Sequence, residues 1–241
     1  MVINMDDRYY KYFLKKSKNR GLKTFTFSKF NHDADVVFLN KKKYKENYKI
    51  NIKIKEIKKS FLVSKYLSSH IDNILATLSI INVYFGSKKL SRNLFSGFCI
   101  PKSRGSLINF KKGAKKITII DESYNSNPLS FKFALERYDS IYKKNDKKFL
   151  LIGNMLELGK YSKKLHIKIA KYVNKSKINK IYVYGDHTKH TFNKLKPQIR
   201  GKILKNKMDI QKLVNDDLPN NSFLMVKGSN STGLNRIIQN L

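Results

Sequence analysis

The chain has a single cysteine, Cys99, in 241 residues. No intrachain disulfide can form, and neither a C-x-x-C motif nor zinc-type pairing exists, so a reducing, cytoplasmic setting fits. Arginine is scarce as well, seven of the 51 basic residues against 44 Lys. Arg is the side chain suited to bidentate reading of bases and phosphates. A surface swollen by Lys therefore fits general solvation better than sequence recognition, even at a formal net charge of +34. No nucleic-acid partner is expected, and a basic, non-enzymatic nucleic-acid-binding module is the alternative reading. A membrane-length apolar run is also missing. The most apolar window, IDNILATLSIINVYFG (71–86), is too short and holds Asp72 and Asn73. The opening MVINMDDRYY is acidic and lacks the basic-then-apolar order of a signal peptide.

What is present is enough apolar material, 41% of residues, to bury a core in one large domain or two small ones. Residues 1–113 read as mixed strand and helix. Short strands are predicted near 2–4, 24–27, 35–39, 50–54 and 60–64, then an amphipathic helix over 69–84 and a short helix over 90–96. The segment IPKSRGSLINFKKGAKK (100–116) reads as hairpin or linker, which puts a domain boundary near 113. Residues 114–241 alternate: strand 117–121, helix 128–143, strand 149–153, helix 162–174, strand 180–185, helices 187–196 and 208–215, strand 222–228, helix 233–240. That alternation predicts an α/β unit, a mostly parallel sheet with helices on both faces and ligand loops at the carboxyl ends of its strands.

The polar motifs fall at those ends. DESYNSNPLS (121–130) leaves a strand and enters a helix at Pro128. Asp121 there can accept ribose hydroxyls or orient a metal, while Asn125 and Asn127 offer amides to a polar ligand. A turn with Asx hydrogen bonds and a helix cap explains the same residues. GNMLELGKYSKKLH (153–166) holds Glu157 between two glycines, with Ser162 as a helix cap and His166 as a structural histidine on the same helix face. His187 and His190 in GDHTKH read as a solvated face, and no metal site is assigned. VKGSNSTGLN (226–235) spaces its glycines like a phosphate loop, G-x-x-x-x-G. It then continues Leu234-Asn235 where that loop needs Lys and a hydroxyl, so an ordinary strand-to-helix connection is expected.

These motifs together resemble the Mur ligase family, in its D-alanyl-D-alanine-adding (MurF) branch. DESYNSNP is similar to D-[DE]-[ST]-Y-N-A-N-P, GNMLELG to G-D-M-L-E-L-G followed by the same Ser and His, and VKGS to V-K-G-S. Upstream, VINMDDRYYKYFLKKSKNRGLKTFTF resembles a V-[IL]-N-x-D-D stretch with a helix, a Gly and a T-F strand. SHIDNILATLSI resembles H-N-x-x-N-A-L-A-x-L, and PKSRGS resembles P-x-x-G-R-G. The motifs run in family order along essentially the whole chain, which corresponds to the family's carboxyl half.

The resemblance implies the carboxyl part of a central ATP-binding domain (1–113) and a Rossmann-like carboxyl-terminal domain (114–241). It implies an ATP- and Mg²⁺-dependent ligase of peptidoglycan precursor synthesis, in which the carboxylate of UDP-MurNAc-tripeptide is phosphorylated and the amine of D-Ala-D-Ala attacks the acyl phosphate. Carried over, Asn73, His70, Arg104, Asp121 and Tyr124 lie on the nucleotide side, Asp121 at the ribose and Arg104 as the catalytic cation. Asn125, Asn127, Lys227 and Ser229 lie on the substrate side, with Lys227 and Ser229 facing the interdomain cleft. The chain departs from the family at Ser69, His70, Ser103, Asn154, Thr232 and Asn235, where His, Asn, Gly, Asp, Met and Glu are usual. The family's phosphate loop, its Mg²⁺-supporting Lys and its UDP-binding domain precede the V-I-N-x-D-D stretch, which here starts at Val2. The expectation is a monomer inactive on its own, with a degenerate ligase acting as a partner protein as a further alternative.

Overall fold

The computed structural model describes residues 1–141 and 146–241 and divides into two units, Met1–Cys99 and Ile100–Leu241. No helix among the described residues is long and apolar enough to cross a membrane.

In the first unit the chain runs β1 (Val2–Asn4), α1 (Tyr10–Asn19), β2 (Phe25–Ser28), β3 (Val36–Tyr44), β4 (Asn47–Ile54), β5 (Ile57–Val63) and α2 (Ile71–Phe85). The sheet order is β1-β2-β3-β4-β5, parallel through β3 and antiparallel beyond it. INIKI shows why β4 forms. Ile50, Ile52 and Ile54 are buried while the residues between them point the other way, the period-2 pattern of a half-buried strand. Ile74, Leu75 and Leu78 of α2 join those isoleucines, Val36 and Phe61 in one core. The short helix expected over 90–96 is absent. A 3-10 turn occupies Ser87–Lys89, and the carbonyl of Arg92 accepts the Leu62 N–H at 3.1 Å, so this segment follows the edge of β5 as turns.

The second unit runs β6 (Ser106–Lys112), β7 (Lys115–Glu122), α3 (Pro128–Ile141), β8 (Lys147–Gly153), α4 (Ser162–Val173), β9 (Lys180–Tyr184), α5 (Thr188–Phe192), β10 (Arg200–Leu204), α6 (Lys207–Lys212), β11 (Ser222–Lys227) and α7 (Leu234–Gln239). The strand order is β10-β9-β8-β11-β7-β6, parallel except where β6 pairs antiparallel with β7. That pairing joins 106–112 to this unit, and the division falls between Cys99 and Ile100, ahead of the boundary expected near 113. Positions 142–143 of the expected helix lie outside the described residues. Strand β10 carries too little apolar pattern to read from sequence. Its place depends on Gly201, where an added Cβ would lie 2.8 Å from the Ile181 carbonyl and from the Tyr182 ring.

Alternation along the strands builds two cores. Ile120, Leu150, Ile152, Ile181, Val183 and Met225 face α3 and α4, whereas Ile117, Ile119, Phe149, Leu151, Leu224 and Val226 face α6 and α7. Helices therefore cover both sheet faces, and the loops after β7, β8 and β11 gather at one end.

Candidate active site

Each loop at that end is stitched to its neighbours. Gly153 and Gly228 let β8 and β11 finish in contact. A Cβ on Gly153 would lie 2.8 Å from Leu234 Cδ2 and 3.2 Å from the Gly228 Cα. The Ser229 N–H donates to the Asn154 carbonyl at 2.9 Å, and the Leu156 N–H donates to Ser229 Oγ at 3.0 Å. The Asn230 N–H donates to the Tyr124 carbonyl at 3.0 Å. DESYNSNP, GNMLELG and VKGS thus form one loop cluster. VKGSNSTGLN is a connection: a 3-10 turn at Asn230–Thr232, then Gly233 at φ 71° ahead of a short α7.

Arg104 and Tyr124 are the exposed chemistry of this cluster. The guanidinium sits 4.2 Å from the Tyr124 ring centroid, and the ring is 43% exposed. An oriented cation on an aromatic face suits a planar, phosphate-bearing ligand.

Asp121, the strand residue directly after the Ile119–Ile120 core pair, has no exposed surface. Its Oδ2 accepts from Ser103 Oγ at 2.8 Å, and its Oδ1 accepts from the Ser123 N–H at 3.1 Å and from Ser123 Oγ. The carboxylate is directed into the loop, where its three partners belong to the protein. Asn127 is likewise structural. Its Oδ1 accepts the Ser130 N–H at 2.8 Å while Ser130 Oγ accepts the Asn127 N–H at 3.1 Å, a reciprocal cap on α3. The capping reading of these residues is the one the geometry supports.

Lys227 is 1% exposed. Its parity on β11 is that of Met225, so the side chain runs under the DESYNSNP loop and its Nζ donates to the Asn125 carbonyl at 2.9 Å. Burial pushes its pKa below the ordinary lysine value, Glu122 opposes that shift, and Arg137 adds to it. Glu122 and Arg137 themselves form an ion pair. Asn125 keeps an exposed side chain, and Ser229 is nearly buried.

His166 is fully buried. Nε2 accepts the Met155 N–H at 3.1 Å and Nδ1 lies 2.9 Å from the Ser162 carbonyl, which fixes a neutral ring protonated on Nδ1. Burial lowers its pKa, the Ser162 hydrogen bond opposes this, and His187 and His190 add to the lowering. Ser162 makes no side-chain cap on α4 and meets His166 instead.

A cavity of about 440 Å³ opens at the carboxyl ends of β8, β9 and β10, beside the β11 loop. Sequence reasoning missed it, because β10 supplies one wall. Leu156, Tyr184 and Ile203 make its apolar side, and Asn154, Asp186, Lys189, Lys205 and Thr232 its polar side. Asp186 and Lys189 are paired at 2.9 Å, and that contact lowers the Asp186 pKa. The Asn154 Oδ1 is buried without a hydrogen-bond partner. Among the described residues no group of three or more His, Cys, Asp or Glu could hold a metal ion.

The remaining two candidates belong to the first unit. His70 precedes the first turn of α2, its ring 4.7 Å from that of Tyr66, and Asn73 is exposed in that turn beside Asp72, which pairs with Lys29 at 2.8 Å.

The family model described as Mur ligase, glutamate ligase domain, matches residues 108–230. The chain belongs to the Mur ligase family. This Mur ligase chain is 28% identical over 191 residues to a UDP-N-acetylmuramoyl-tripeptide--D-alanyl-D-alanine ligase of Rickettsia prowazekii, covering 79% of the chain and 40% of the relative. It is 27% identical to the ligase of the same name from Buchnera aphidicola, over 100% of the chain and 51% of the relative. The chain thus spans about half the length, or less, of these curated relatives. A crystal structure of MurF ligase from Thermotoga maritima in complex with ADP shares the fold, at TM-score 0.70 and 20% identity over 99% of this Mur ligase chain and 52% of that one.

Proposed function

We propose that this chain provides the nucleotide-contacting cation and the amine-substrate cavity of an ATP-dependent, amide-bond-forming ligase that adds D-Ala-D-Ala to UDP-MurNAc-tripeptide in the cytoplasm. The observation that carries the reading is the Arg104–Tyr124 pair, 4.2 Å from cation to ring, on a loop cluster shared with VKGS and GNMLELG. The names of the Rickettsia and Buchnera relatives and the ADP in the Thermotoga enzyme support it.

The chemistry asks the protein for two things. Charge on the transferred phosphoryl group and on the departing phosphate needs fixed cations. Arg104 supplies one, with Tyr124 as the platform for the base or ribose. The amine must also reach the acyl carbon in one orientation, with water kept out. The 440 Å³ cavity is of a size for a small peptide. Lys189 and Lys205 suit the dipeptide's carboxylate, the Asn154 amide suits its polar backbone, and Leu156 and Ile203 suit its methyl groups. No step is assigned to Mg²⁺ on these residues. The 241 residues contain no G-x-x-x-x-G-K-[ST] segment, so capture of the γ-phosphate falls to residues outside them, and the isolated chain is expected not to form product.

Titration calorimetry of the 241-residue chain with ADP tests this. Saturable binding that Arg104→Ala weakens about tenfold, the loss of one charge-assisted contact, is expected. Absence of ADP binding, or binding indifferent to Arg104, refutes the reading. Product formation from ATP, UDP-MurNAc-tripeptide and D-Ala-D-Ala by the chain alone refutes the assignment of γ-phosphate capture.

A further inference from the structure

The carboxylate of Asp121 stands at the centre of a buried polar knot. It accepts three hydrogen bonds, from Ser103 Oγ and from the N–H and Oγ of Ser123. Ser103 Oγ accepts in turn from Gln239 Nε2 of α7 at 3.0 Å. The backbone closes the same knot. The Gly105 N–H donates to the Asp121 carbonyl at 2.7 Å, and the Tyr124 N–H donates to the Ser103 carbonyl at 3.0 Å. Both neighbours of Arg104 are therefore pinned, and so is the residue whose ring it covers.

Ser103 has φ 59°, a left-handed conformation that a residue with a Cβ adopts at a cost. It is 2% exposed, and its hydroxyl donates to Asp121 while accepting from Gln239. The hydroxyl thus compensates for a backbone conformation that glycine would adopt freely.

We propose that Asp121 is a positioning residue: acting through Ser103, it holds Arg104 over Tyr124 and does not itself touch the nucleotide. To reach a ribose, the carboxylate would have to give up three partners and leave a site with no solvent-exposed surface. Retaining them fixes the cation where a phosphate can meet it. The proposal rests on the nucleotide reading of Arg104 and Tyr124 given above.

The test uses the 241-residue chain with Asp121→Asn, Ser103→Gly and Ser103→Ala. Calorimetry is run with ADP, adenosine and 2′,3′-dideoxy-ADP, and amide exchange is followed at Gly105 and Tyr124. Loosening the knot is expected to weaken ADP about tenfold and adenosine by less than about twofold, because the loss acts on the phosphate through Arg104. The preference for ADP over dideoxy-ADP stays at its unmodified value in Asp121→Asn, and the Gly105 and Tyr124 amides exchange faster in all three variants. A preference that collapses in Asp121→Asn places the carboxylate on the ribose and overturns the proposal. So does unchanged exchange in Ser103→Gly, a substitution that removes the hydroxyl without adding backbone strain. Should the unmodified chain bind no nucleotide, the functional reading fails by itself, and the exchange rates still decide whether the knot positions this loop.

Discussion

Replacing Gly153 by Ala tests the junction that brings the site loops together. The new Cβ would lie 2.8 Å from Leu234 Cδ2, 3.2 Å from the Gly228 Cα and 3.7 Å from the Lys227 carbonyl. The first contact is the end of a side chain, and the second is backbone belonging to the neighbouring strand end. Leu234 is fully buried, so it cannot swing out freely. Overpacking of this kind costs about 1–3 kcal/mol, or a fall of roughly 3–10 °C in the melting temperature of a unit this size. Leu234→Ala alone costs about 2–5 kcal/mol through the cavity it leaves. The double variant should cost less than the sum by about 0.5–1.5 kcal/mol, because truncation removes the 2.8 Å contact but not the one with Gly228. The chain has no Trp, so urea unfolding is followed by circular dichroism, with hydrogen exchange isolating the second unit. Strict additivity, or a Gly153→Ala variant as stable as the unmodified chain, would show that β8 and β11 do not meet as described.

Three further outcomes follow from the geometry. Asn127→Ala should destabilise α3 by about 1 kcal/mol, seen as faster exchange at Ser130, and leave ADP affinity unchanged; a large affinity loss would return Asn127 to the ligand. His166 is held neutral with a pKa below its ordinary 6.5. The unfolded chain therefore takes up the proton first, and stability contributed at pH 7 is lost as pH falls below about 6.5 and levels off beneath the lowered native value. Urea unfolding from pH 7.5 to 5 should show this slope, weakened in His166→Gln; equal slopes would rule out His166 as the source. Binding to a mixed-sequence oligonucleotide should fade as salt is raised to about 0.15 M, as expected for diffuse Lys charge, and saturable binding that survives would favour a nucleic-acid module.

Some of the site could be read from the residues because its signals are local. The strand-to-helix order of the second unit follows from alternation in ITII, FLLI and FLMV, and the Arg104 and Tyr124 candidates follow from motif order. The structural reading of His166 follows from its place on an amphipathic helix with Ser162. Other features were not local. The cavity depends on β10, whose apolar content is confined to Ile203 and Leu204 and whose pairing rests on Gly201 fitting against Tyr182. The absent helix at 90–96 lost to a hydrogen bond between Arg92 and Leu62, a contact between segments far apart in sequence.

By itself, the sequence determined the family resemblance, the parallel α/β order of residues 114–241 and the set of polar residues at the strand ends, since periodicity and motif order are written in neighbouring residues. Only the tertiary structure decided which of those residues face outwards. Asp121, Lys227 and Asn127 had the composition of a ligand site, yet a buried carboxylate, a buried ammonium and a helix cap must each be satisfied by partners, and the partners they found belong to the protein. Arg104 and Tyr124 instead keep an exposed pairing, the guanidinium 4.2 Å from the ring centroid.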